Sequence, residues 1–398
     1  MPRAGEIVGL VVLALLCIGV VMVSSAGMRV GHSDGLTLES IVLSRPAMYG
    51  ALAMACMLLA TLPSAQRLVR WLLETMASGR RGLLAGVGLA CVLCLLPYVP
   101  GLGREANGAQ RWVSIGGFGF QPSELVKWLM PLLIAGYVVS IGDRIRSFWG
   151  GLMPALLALG LPAMMIAKED LGTSVLIVLV GVLILVAGGA RLWHMASLVP
   201  VGCAAVAGAI ALEPYRVRRL TSFINPYEDP EGAGYHMIQS MVAVANGEGF
   251  GRGLGFGLQK FGYLPEDRTD FLFAIISEEL GIAGVTLVLS LYVVLLWTGW
   301  GIARSQRSVA MRLYGFGILA TIGIQAVINL FAVTGLGPTK GIALPLLSAG
   351  GTGWVMTAAS LGVLIAMDRT RADSVSVDSP EREEPREIEL ATPGPIPT

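Results

Sequence analysis

Along this chain apolar residues come in long uninterrupted runs rather than at the two-residue or 3.6-residue periods of half-buried strands and helices. A bilayer core takes about 20 apolar residues per helix, because there the backbone must satisfy its own hydrogen bonds. Ten runs of roughly that kind occur, at approximately 6–26, 46–63, 82–98, 122–141, 152–167, 171–188, 193–212, 271–299, 311–334 and 348–367. The first follows Arg3 and ends Ser24-Ser25-Ala26, like a cleaved signal peptide, but it is too long for one and nine more runs follow. The pattern predicts an all-α polytopic membrane protein of about ten transmembrane helices, with one long extracytoplasmic loop, about 213–270, between the seventh and eighth.

Composition agrees. Of 398 residues 54% are hydrophobic and 14% charged, about half the charge usual in soluble domains. A net charge of +1 gives no footprint for nucleic acid, so no nucleic-acid partner is expected. The five cysteines, Cys17, Cys56, Cys91, Cys94 and Cys203, all fall inside apolar runs, which reads as buried small residues rather than a disulfide or zinc framework. Arg67, Arg70, Arg80, Arg81, Arg144, Arg146, Arg191, Arg304 and Arg307 occupy alternate short loops, so the positive-inside rule puts both termini in the cytoplasm. Arg216, Arg218 and Arg219 in the long loop count against this, with the lower weight that long loops carry. Two regions result: a membrane body over 1–367 and a disordered acidic cytoplasmic tail over 368–398, rich in Pro, Glu, Asp and Ser. Removing the tail's eight acids and four bases from the chain's 27 and 28 leaves the body at +5.

The few remaining charges carry the candidate chemistry. Six glycines at alternate positions from Gly247 to Gly257 lack the strand and helix context of a nucleotide-binding loop and read as an irregular surface loop. Tyr235 to Asn246 has helical apolar spacing and reads either as an interfacial helix or as a cover for the bundle. Asp270 stands at the start of the eighth span, as a helix cap or a reactive carboxylate. Glu278 and Glu279 follow about two turns on, which would put Asp270 and Glu278 near one helical face about 12 Å apart. Gln121-Pro122-Ser123-Glu124 opens the fourth span, with Lys127 at i,i+3 to neutralise Glu124. Arg111, Glu124, Asp170, Asp270 and Lys340 all fall towards one side of the membrane. Cations for a pyrophosphate and a carboxylate for proton abstraction are what an anionic lipid-linked substrate would need. His32, His194 and His236 have no metal-binding spacing.

At these residues the chain resembles the SEDS family of polytopic peptidoglycan polymerases, which includes FtsW, RodA and the sporulation paralogue. The resemblance is carried by Asn107-Gly108-Ala109-Gln110-Arg111-Trp112, Gln121-Pro122-Ser123-Glu124, Asp170-Leu171-Gly172-Thr173, the loop from Asn225-Pro226 to Thr269-Asp270-Phe271, Glu278-Glu279-Leu280-Gly281, and Leu344-Pro345-Leu346-Leu347-Ser348 before Gly350-Gly351. Pro338-Thr339-Lys340-Gly341 is more similar to division members than to elongation members. The resemblance implies a glycosyltransferase that joins lipid II molecules at the outer face of the bacterial inner membrane, at the division septum. It implies Asp270 as general base, and Arg111, Trp112, Asp170, Lys340 and Ser348 as substrate contacts. Glu124, Lys127, Glu278 and Glu279 take supporting roles. A divalent cation, Mg or Mn, is expected with no legible ligand set. The implied partners are lipid II, a class B penicillin-binding protein (an FtsI-like transpeptidase), other divisome proteins and membrane lipid. The chain departs from the family at Ala349, where Tyr is usual, and at Lys168-Glu169, where Gln-Pro is usual. The alternatives are an elongation polymerase, a lipid II flippase and a catalytically silent division scaffold.

Overall fold

A computed structural model describes residues 3–28, 37–106, 109–115, 118–339 and 341–377. Helices dominate it. In chain order they are α1 (Ala4–Ala26), α2 (Leu38–Val42), α3 (Arg45–Ala60), α4 (Pro63–Met76), α5 (Arg80–Leu95), α6 (Pro122–Ile141), α7 (Met153–Ala167), α8 (Leu171–Ala187), α9 (Leu192–Ala211), α10 (Pro214–Ile224), α11 (Tyr235–Asn246), α12 (Leu272–Arg304), α13 (Val309–Val333) and α14 (Thr352–Val377). A small antiparallel sheet, β1 (Gly103–Ala106), β2 (Ala109–Ile115) and β3 (Phe118–Phe120), lies between α5 and α6.

Each of the ten expected spans coincides with a helix. Seven are long and apolar enough to cross a membrane, among the described residues, or eight if α3 and α4, bent by 74° at a short break, are one span. The 17-residue α8 and α14, whose apolar stretch ends at Asp368, fall outside that criterion. Local chemistry sets the helix starts. Ser44 and Ser308 accept the Ala47 and Met311 amides as N-caps, and proline opens α4, α6 and α10 where its missing N–H costs nothing.

Three stretches differ from expectation. Residues 63–76, read as loop, form the amphipathic helix α4, whose Leu73 and Met76 are buried while Leu68 and Trp71 are exposed. The long loop contains a second unexpected helix, α10. The tail, expected to be disordered from 368, remains helical to Val377, and Asp368 accepts the Gly5 amide at 2.9 Å, which closes the start of α1. Residues 378–398 lie outside the described residues.

The core runs through α1, α6, α8, α12, α13 and α14, with large side chains such as Tyr137, Leu133 and Ile184 fully buried. By contrast, the apolar window of α9 has no buried residue, so nearly the whole helix faces outward. The starts of α6, α8, α12 and α14 and the ends of α7, α9 and α13 gather at one end of the bundle, with the sheet.

The helix α12 is broken at Gly281, whose φ of 61° and ψ of −158° interrupt the ladder. The glycine-rich loop fills the break. Arg252 and Gly253 donate backbone N–H to the carbonyls of Glu278 and Glu279 (2.9 and 3.0 Å), while Ile282 donates to Glu248 O (3.1 Å). Such close backbone approach requires glycine: a Cβ on Gly251 would lie 2.2 Å from Glu279 O. The helix α11 packs on α12 and α13, with Ser240 donating to Val333 O at 2.8 Å, so it covers the bundle.

Candidate active site

At the end where these helix starts meet lies a cavity of about 870 Å³, within the range of small-molecule sites. Its wall brings together Arg111, Trp112, Glu124, Lys127, Asp170, Asp270 and Ser348, contributed by the sheet, α6, α8, the loop before α12 and the turn before α14. Lys340 lies outside the described residues; its neighbours Thr339 and Gly341 line the same wall.

Asp270 sits one residue before the cap of α12, in a turn rather than on the helix. The expected common face with Glu278 therefore does not form. The turn is closed by Glu266, whose backbone has φ 57° and whose carbonyl accepts Thr269 N (3.1 Å) and Phe271 N (3.2 Å). Asn329 of α13 holds the other side, donating Nδ2 to Asp270 O (2.8 Å) and Ile342 O (2.7 Å). The Asp270 carboxyl is half-buried, and burial pushes it up to about 7. Glu266 and Asp170 push the same way, while Arg111 and Arg219 oppose them. Asp267 is also raised by burial, to about 6, but does not line the cavity. His236 on α11 stacks on Phe271 at 6.1 Å, and burial holds its imidazole below the usual range.

Arg111 projects from β2 with its Nη1 3.8 Å from Asp170 Oδ2, and its buried Nε has no hydrogen-bond partner. Asp170 is the N-cap of α8: Oδ1 accepts Thr173 N (2.9 Å) and Oδ2 accepts Thr173 Oγ1 (2.8 Å). Both its oxygens thus hold the start of α8, and Oδ2 also faces Arg111 on the cavity wall. Ser348 likewise closes a turn, its Oγ accepting Leu344 N at 2.9 Å in a site only 1% exposed. Lys127 pairs with Glu124 at 2.6 Å, as the i,i+3 spacing suggests, and donates to Gln325 Oε1 at 3.0 Å.

Glu278 and Glu279 do not reach the cavity. Glu278 accepts the Leu258 and Gln259 amides. Glu279 accepts those of Gly255 and Gly257 and pairs with Lys260 at 2.6 Å, with Ser25 Oγ donating to it at 2.8 Å. Lys260 and Glu279 are both fully buried. This cluster fastens the glycine-rich loop to α1 and α12.

The Lys168-Glu169 departure has a structural account: Glu169 accepts Tyr98 Oη (2.8 Å) and the Gln110 amide (3.0 Å), joining the sheet to the α7–α8 turn. Sequence reasoning missed Arg219, Glu266, Asn329 and Gln325. The i,i+4 pair Gln325 and Asn329 inside an apolar span was a readable sign. Arg216, read only as a topological charge, donates to Ala209 O, Ala167 O and Lys168 O and so closes the ends of α9 and α7. Among the described residues no group of three His, Cys, Asp or Glu side chains could hold a metal ion, so the expected divalent cation finds no protein-built ligand set there.

Residues 6–373 match the family model described as Cell cycle protein, which spans FtsW, RodA and SpoVE. The probable peptidoglycan glycosyltransferase FtsW of Thioalkalivibrio sulfidiphilus is 40% identical over 368 residues, covering 91% of this chain and 89% of that one. Stage V sporulation protein E of Bacillus subtilis is 41% identical, covering 70% and 76%. In structure, a chain from a peptidoglycan synthase complex of coordinated polymerization and crosslinking aligns with a TM-score of 0.70 at 27% identity, covering 92% and 97%. RodA of Thermus thermophilus has the same fold, with a TM-score of 0.59 at 23% identity, covering 92% and 96%. A cavity ringed by arginines and one raised carboxyl, in a bundle of this topology and with these relatives, is that of a family member: the chain belongs to the FtsW, RodA and SpoVE family of cell cycle proteins.

Proposed function

We infer that this chain is a peptidoglycan glycosyltransferase of the FtsW kind, polymerising lipid II into glycan strands at the outer face of the bacterial inner membrane during division. The observation that carries this reading is Asp270: a half-buried carboxyl on the cavity wall, raised to about 7 by burial, within electrostatic reach of Arg111 and Arg219. A base poised near the working pH is what proton abstraction from a sugar hydroxyl requires. The 4-hydroxyl of the acceptor's GlcNAc attacks C1 of the donor's MurNAc, and its proton passes to Asp270. The bond from C1 to the pyrophosphate oxygen breaks and undecaprenyl pyrophosphate departs. Arg111 and Arg219 stabilise the charge gathering on that leaving group, and Lys340 is assigned the same task. A divalent cation would add charge neutralisation at the pyrophosphate.

In this reading both termini are cytoplasmic, the cavity opens on the outer leaflet, and the working partner is a class B penicillin-binding protein within the divisome. The division role is supported by relatives named FtsW. The test uses the full chain purified with its transpeptidase partner and given lipid II. Wild type forms glycan strands; Asp270→Asn loses at least about 100-fold in rate, the low end for removal of a general base. An Asn variant that polymerises normally would sink the role. A tagged copy distributed along the side wall, not the septum, would move the assignment to elongation.

A further inference from the structure

Arg111 is weakly held by its own side chain. Among the described residues its one ionic contact is 3.8 Å long, and its buried Nε has no hydrogen-bond partner. Its location therefore depends on the backbone of β2, a strand in a three-stranded sheet at the edge of the bundle. The residue before it, Gln110, is where β2 is tied to the helices, through its N–H to Glu169 Oε2 at 3.0 Å. Glu169 is braced in turn: Oε1 accepts Tyr98 Oη at 2.8 Å, and Lys168, 3.9 Å from the carboxylate, lies over the Tyr98 ring at 5.5 Å. Two consecutive carboxylates thus engage two consecutive strand residues, Glu169 taking the backbone of Gln110 and Asp170 the guanidinium of Arg111.

We propose that Glu169 is a positioning residue: it moors β2 to the α7–α8 turn and so holds Arg111 at the cavity wall for the anionic part of the substrate. This rests on the polymerase reading for its kinetic consequence, though not for the mooring itself. A carboxylate suits the task because it accepts two bonds from different elements at once, and an acceptor carrying charge holds each more firmly than a neutral one. The cations that meet the substrate's pyrophosphate must be in place when it binds and when charge gathers on it, so loosening the strand weakens both binding and chemistry.

The test compares wild type, Glu169→Ala, Glu169→Gln and Tyr98→Phe in the full chain with its transpeptidase partner. Hydrogen exchange reads the mooring without any need for activity. The segment 109–115 exchanges at least about fivefold faster in Glu169→Ala, with α6 unchanged, and is intermediate in Glu169→Gln, which keeps one acceptor oxygen. In lipid II titrations Glu169→Ala raises KM and lowers kcat, so that kcat/KM falls about tenfold, and Glu169→Gln recovers most of the loss. Tyr98→Phe gives a smaller fall, and combined with Glu169→Ala it adds nothing further. Unchanged exchange in 109–115 in both Glu169 variants overturns the mooring. Faster exchange with an unaltered kcat/KM overturns the link to Arg111. A wild type that does not polymerise defeats the polymerase reading, and the exchange result still decides whether Glu169 holds the strand.

Discussion

At the scale of single residues the site turns on environment rather than identity. Asp270 is one of several acids at this end of the bundle, yet it is the cavity carboxyl that burial lifts to about 7. A general base works in its ionised form, so kcat/KM is expected to be low at pH 5, to climb through about pH 7 and to level off above it. A flat profile from pH 5 to 8 would refute the assignment. The same displacement burdens the fold: with its pKa higher folded than unfolded, Asp270 costs nothing below about pH 4, its cost grows between about pH 4 and 7, where the unfolded chain has ionised and the folded one has not, and it is constant above. Asp270→Asn should therefore raise the melting temperature at pH 8 and scarcely alter it at pH 3. Lys260 makes the opposite case, a buried cation whose pairing holds structure together. Lys260→Met leaves the Glu279 carboxylate buried with only neutral donors, and a loss of about 3–5 kcal/mol is expected in chemical denaturation. The motif around Asp270 was plain in the sequence; the roles of Glu278 and Glu279 were not. Their spacing suggests a catalytic face, and only the turn before Leu272 and the break at Gly281 send them to the loop instead.

At the scale of elements, the glycine-rich loop and the broken helix explain one another. A helix interrupted inside a bundle leaves carbonyls and amides without partners, at a cost that lipid makes larger. Here residues 248–253 supply those partners, and the alternate glycines allow the two backbones to meet. Gly251→Ala puts a methyl against Glu279 O at a residue with φ 75°, and Gly281→Ala does the same against Gly251 N with φ 61°. Each should cost more than about 2 kcal/mol in stability, read as a fall in melting temperature. Gly249→Ala, with nothing within 4 Å of the new methyl, should cost far less. Equal losses at Gly249 and Gly251 would mean that backbone insertion is not what these glycines serve. The glycine run was visible as irregular loop, but its target was not, because the partner carbonyls lie 26 residues along the chain. The helices α4 and α10 escaped notice for a different reason: a test for long apolar runs passes over helices that are apolar on one side only.

At the scale of the whole molecule, the helices alternate in direction, which gathers the described candidate residues at one end and leaves the other to the start of α1 and the last turns of α14. With the termini cytoplasmic, a cysteine placed at Phe250, 89% exposed, should react with a membrane-impermeant maleimide in intact spheroplasts. One placed at Ser78 should react only after permeabilisation. Labelling of Ser78→Cys from outside would invert the topology and with it the outer-face reading. The outward exposure of α9 also belongs to this scale: an apolar helix with no buried residue in its window is surrounded by lipid or by another membrane protein, not by its own bundle.

By itself the sequence determined the medium, the positions of the long apolar helices and the family. Each is written in local features: runs of apolar residues long enough for a bilayer, arginines in alternate loops, and ordered motifs around Arg111, Glu124, Asp170 and Asp270. It also put the main cavity charges at one end, because helices that cross a membrane leave few places for charge to stand. Only the tertiary structure decided which of those charges meet. Asp170 caps α8 and faces Arg111, Ser348 closes its turn, and Glu279 pairs with Lys260. Arg219, Glu266 and Asn329 enter the site from elements that no local pattern joins to Asp270. The reason is physical: whether a carboxylate is free, paired or raised depends on what long-range packing places beside it, and that is information no single stretch of chain contains.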